Sequence, residues 1–102
     1  MTGPLSSASM VGEASGFLHV VRIDVAVDPV RAEYQVAFAP VGGRLRRRHL
    51  VCHGLDGLTS FLRQARVPVL EIERAWRMLA QRQVCSIPRV ALTPAQLEVF
   101  GL

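Results

Sequence analysis

Two runs of alternating side chains, followed by two runs of helical period, set what this chain can become. In Phe17 to Val27 the odd positions Phe17, Val21, Ile23, Val25 and Val27 are apolar, with Arg22 and Asp24 on the opposite side. A period of two is that of a strand with one face on a core. The spacing therefore predicts a strand whose odd face is buried. His19 falls on that same face, as a histidine at the core margin bonded to backbone or water. Glu33 to Ala39 alternates again, with Tyr34, Val36 and Phe38 on one side and Glu33 and Gln35 on the other. Asp28-Pro29 marks the turn between the two strands. Pro40 ends the second, and Gly42-Gly43 makes the next turn.

The segment after those glycines reads Arg44-Leu45-Arg46-Arg47-Arg48-His49-Leu50-Val51-Cys52-His53. It is expected as a third strand, although its alternation is poor. Leu45 and Val51 fall on one face, Leu50 and Cys52 on the other. A bulge near Arg47–His49 reconciles the halves.

Beyond Gly54 the period changes. Leu58, Phe61, Leu62 and Ala65 form one helical stripe, with Asp56 as the expected N-cap. Pro68 interrupts. A second helix is expected from Val69 to Gln83, with Ile72, Ala75, Trp76 and Leu79 inward and Glu73 paired with Arg77. Cys85 to Leu92 is β-like, but Pro88 cannot donate to a ladder, which makes it a short edge strand. Thr93-Pro94-Ala95-Gln96 is a capping box opening a last short helix that Gly101 stops. The order β-β-β-α-α-β-α predicts an α+β fold: a three-stranded antiparallel meander, two to three helices on one face, and a short edge strand. Residues 1–16, rich in Ser, Ala and Gly, read as a flexible tail, and residues 17–102 as a single domain.

With 102 residues and a hydrophobic fraction of 50%, the chain has enough apolar surface for one core without a disulfide or metal. All 12 basic residues are arginine. The absence of lysine excludes a Schiff base and the lysine of a phosphate-binding loop. It also fits a GC-rich, bacterial type of coding sequence. No run of residues is apolar enough to span a membrane. The first 16 residues lack the pattern of a signal peptide, and two cysteines in such a chain suggest reduced, buried thiols in the cytoplasm.

The candidate functional residues are Arg44, Arg46, Arg47 and Arg48. On a strand, alternate arginines start about 7 Å apart and repel by roughly 0.6 kcal/mol in water. Solvation alone sustains such a face, and Asp24 and Glu33 are expected beside it as cross-strand partners. The expected function is an interaction module without catalytic activity, using this arginine-rich sheet face to meet an acidic protein partner or its own copy as a homodimer. The alternative is sequence-tolerant nucleic-acid binding through the same arginines. Against it, the aromatic platforms of single-strand binders are missing, because Tyr34 and Trp76 are expected in the core. A helix-turn-helix reading, with Arg74, Arg77 and Gln81 exposed, is opposed by Glu71 and Glu73 at the end that would meet phosphate. His49, Cys52 and His53 have zinc-ligand atoms but do not converge from a strand. Cys52 and His53, as neighbours on a strand, point apart and make no catalytic pair. No metal and no cofactor are expected.

Overall fold

A computed structural model describes residues 14–43 and 48–101. The chain runs β1 (Ala14–Val27), β2 (Val30–Pro40), β3 (Leu50–His53), α1 (Gly54–Gln64), α2 (Val69–Arg82), β4 (Val84–Leu92) and α3 (Pro94–Glu98). This is the expected α+β order. All strand pairs are antiparallel and the sheet order is β3-β2-β1-β4. The last strand is longer than expected at nine residues, and it closes the far edge of the sheet beside β1. Pro88 is tolerated there because β4 carries an extra residue opposite Phe17, with Arg89 at φ 59°.

The three helices form a layer on one face. The core between layers holds Leu18 and Val20 of β1, and Tyr34, Val36 and Phe38 of β2. The helices contribute Leu58, Leu62, Ile72, Ala75 and Leu79, and Phe100 follows α3. The ring of Phe38 lies 5.9 Å from that of Phe100, which lies 6.3 Å from that of Phe61. Trp76 donates from Nε1 to Thr59 Oγ1 at 3.0 Å, joining α2 to α1. Gln96 belongs to the capping box on Thr93 and also donates to the Gln64 carbonyl at 2.9 Å. One side chain thus fixes α3 against the end of α1.

Four expectations change. First, the buried face of β1 is the even one. Leu18 and Val20 are fully buried, while Phe17, Val21, Ile23, Val25 and Val27 are exposed. The pairing decides this: Leu18 lies opposite Phe38, and Val20 opposite Val36. Register partners share a face, so β1 follows the face that β2 buries. Arg22 and Asp24 therefore lie on the helical side, where that layer ends. The Arg22 amide donates to the Gln83 carbonyl at 2.8 Å and its Nε to Asp24 at 2.9 Å. Second, β1 begins at Ala14, so residues 14–16 belong to the sheet rather than to a tail. Residues 1–13 lie outside the described residues. Third, α1 starts at Gly54 with His53 as N-cap and no side-chain cap. Gly54, at φ 81°, turns the chain directly from β3 into the helix, leaving Asp56 in the first turn. Fourth, the acidic partner on α2 is Glu71, bonded to Arg74 at 2.7 Å.

Two glycines separate steric from conformational demand. Gly16 is buried, and a Cβ there would run into the backbone of Ala39 and Pro40. Gly54 has open space around it but a positive φ. Gly16→Ala is expected to cost about 2–3 kcal/mol by overpacking, and Gly54→Ala about 1 kcal/mol by strain. Urea denaturation of the two variants checks the ranking, and a Gly54 loss larger than the Gly16 loss would reject it.

Candidate functional site

With the helices on the even side, no second layer covers the odd side of the sheet among the described residues. Its composition follows from the register. Val84 pairs with Val21, Val21 with Gln35, and Gln35 with Val51. These four side chains form a row across all four strands. On one side of it lies Ser86–His19–Ala37, then Phe17 beside Ala39. On the other lies Ile23–Glu33–His53. Phe17, Val21, Ile23, Val51 and Val84 are between 37% and 50% exposed. An antiparallel sheet with one solvated face normally presents polar residues there. This one presents a phenylalanine, an isoleucine and three valines.

The polar groups on the face are mostly paired. Ser86 Oγ and His19 Nδ1 share a hydrogen bond at 2.8 Å. The ring of Phe17 meets that of His19 edge-on at 5.1 Å. Their register partners, Ala37 and Ala39, are buried although they lie on the open side. His53 Nδ1 and Glu33 Oε2 share a hydrogen bond of 2.9 Å at the rim. At this corner the β1–β2 ribbon runs on past its last pairs with β3 and β4, carrying Val25, Val27 and Val30 exposed. Beneath this arm a cleft of about 710 Å³ continues from Glu33 and His53 to Gly54 and Leu55.

The edges of the sheet are closed off. Arg74 crosses from α2 and donates from Nη2 to the Ser86 carbonyl at 2.9 Å. Its Nε is held by Glu71, a hydrogen bond that raises the guanidinium pKa further against the effect of burial. Pro88 and the bulge at Arg89 spoil the rest of that edge. The opposite edge, β3, is four residues long.

The arginine run stands differently from the expectation. Arg44, Arg46 and Arg47 lie outside the described residues. Arg48 is exposed and precedes β3, which begins only at Leu50. Its aliphatic stem lies beside Gly101, on the helical side of the domain. Arg48 is thus not part of a strand and not on the open face. Arg74, expected free on a recognition helix, is bound to Glu71, Met78 and β4. Tyr34 is buried and Trp76 half-buried. His49 is exposed ahead of β3, Cys52 faces the core, and His53 faces Glu33. No group of metal-ligating side chains occurs among the described residues, and none of their helices is long and apolar enough to cross a membrane.

Sequence reasoning saw the odd face of β1 as long and apolar but placed it inward. The missed signal was cross-strand: Gln35 in the middle of β2 shares its face with Val21. Comparison with protein-family models, curated proteins and solved structures returns no match. The fold and this face therefore define the class, an α+β domain with one open apolar sheet face.

Cys52 and Cys85 are free and buried. Burial pushes both thiols above the ordinary value of 9.0. For Cys85 the charge of Arg74 opposes this and that of Glu71 adds to it. The folded state favours the neutral thiol. Its contribution is complete below the unfolded thiol pKa and is lost as pH rises toward the folded one. Stability is expected to decline above about pH 9, and a Cys52→Ala/Cys85→Ala variant should lose most of that slope. Alkylation should be slow until denaturant is added; fast native labelling at neutral pH would contradict the burial.

Proposed function

We propose that the protein is an interaction module without catalytic activity, and that it meets a protein partner through the open face of its sheet. The observation that carries this reading is the uncovered row Val84–Val21–Gln35–Val51 and its flanking Phe17 and Ile23. Contiguous apolar surface of this kind marks protein interaction sites, and the flat, shallow face suits a macromolecule better than a small ligand. Two buried free thiols support a reducing compartment such as the cytoplasm. Nucleic-acid binding is less favoured, because Tyr34 is buried, Trp76 is half-buried and held by Thr59, and Arg74 is engaged.

Two variants separate the apolar face from the arginines. Val21→Asp places a charge in the centre of the face, and Arg48→Glu reverses one on the helical side, away from the face. Proteins of the native host captured by the full chain should be lost with Val21→Asp. With Arg48→Glu they should be retained. Single-stranded DNA and RNA should show no affinity tighter than about 10 µM at low salt. Tight binding to either strand, with a log–log salt slope of roughly −3 to −4, would reject the protein-partner reading.

A further inference from the structure

The open face has a chemistry that fits itself. We infer that its occupant is a second copy of this chain, packed face to face about a two-fold axis near Gln35. This rests on the reading of the face as an interaction surface and names its partner.

Three observations lead there. The first is extent. Phe17, Val21, Ile23, Val51 and Val84 are the exposed large apolar side chains of the face, with Val25 beside it where β1 bulges, and they come from three of the four strands. Contiguous apolar surface spread this widely fits the inner face of a two-sheet sandwich. Residues 1–13 are a poorer cover. Their sizeable apolar side chains are Met1, Leu5, Met10 and Val11, spaced without a period of two.

The second is charge. A surface that meets its own copy meets its own charges, so like charges near the axis must be absent. The centre of the apolar row is Gln35, an uncharged amide that both donates and accepts and so can bond its own symmetry mate. The acid on the face, Glu33, is already bonded to His53 at the rim.

The third is the state of the edges. Pro88, the Arg89 bulge and the Arg74 hydrogen bond block strand addition along β4, and β3 is short. Association is directed to the face. Two sheets pack about 10 Å apart with their side chains interleaved. With β1 antiparallel to its copy and the axis beside Val21, Val25 of one copy stands opposite Phe17 of the other. The arm, a two-stranded ribbon of marginal stability alone, then gains a surface to lie on.

The test is the mass of the full chain in solution. Light scattering after size exclusion, at loads up to about 100 µM, should give twice the monomer mass of 11.2 kDa. Val21→Asp should raise the dissociation constant about 100-fold while leaving the circular dichroism of the monomer unchanged. Gln35→Glu, which places two carboxylates near the axis, should dimerise near pH 4 and weaken about tenfold or more as they ionise. A Gln35→Glu dimer indifferent to pH overturns the axis. A wild-type monomer at the highest load overturns the second copy. In that event Val21→Asp-sensitive capture of another protein still supports the face as a docking surface. A Val21→Asp dimer as tight as wild type overturns both, since the contact then lies elsewhere.

Discussion

Phe38 stands where the sheet, α1 and the end of α3 meet. Its ring packs on Phe100, and Phe100 on Phe61. Burying an aromatic ring of this size is among the larger single contributions to a core, and it fixes which side of β2 faces the helices. The fourteen-residue β1 is then not free to choose. Leu18 must follow Phe38 and Val20 must follow Val36, because they are register partners in the sheet. A shift by one residue would exchange all of these side chains with those of the other face. The apolar outward row is therefore a consequence of the aromatic packing on the opposite side of the same strands.

Among the described residues the helical layer covers one face only. Its three described helices are joined by short connections, and the chain returns from α2 through Gln83, at φ 64°, straight into β4. These helices follow β1 to β3 in sequence and pack on the face that β2 buries. A sheet of four strands so covered has one dry and one wet side. What distinguishes this domain is the choice of side chains on the wet side. Threonine, also a β-branched strand former, would serve the strand at positions 21, 51 and 84 while keeping a polar group in water. Valine at all three costs solubility, and exposed apolar clusters of this kind are the mark of contact surfaces in general, which is what the proposed role rests on.

Much of the architecture was legible in the sequence. β2, α1 and α2 carry one clear period each, and the capping box at Thr93 stands as read. The face of β1 was not legible, for a definite reason. Residues 17–21 are Phe-Leu-His-Val-Val, apolar on both parities. The polar residues of β1, Arg22 and Asp24, point to the helical side, where Gln83 and the end of α2 meet them. Local alternation cannot report that, since it depends on where another element stops. The start of α1 was obscured similarly. Asp56 looks like a cap, but Gly54 allows the turn two residues earlier. The arginine run drew attention by composition, yet the strand it was assigned to begins at Leu50, beyond the last arginine. The apolar excess on β1 was the true signal of a surface, and only its direction was hidden.

The blunted edges and the bare face bear on each other. Strand addition at an edge is undemanding, because any extended backbone supplies the hydrogen bonds, and it leaves a new edge behind. An apolar sheet domain that associated in this way would continue into fibres. Association through a face requires matching side chains and, about a two-fold axis, ends when two copies have met. Arg74 reaching across to the Ser86 carbonyl, Pro88 and the bulge beside it remove the first route along β4 while leaving Phe17, Val21 and Val84 bare on the adjoining face. The same strand thus limits assembly along its edge and contributes Val84 to the face on which the proposed dimer would close.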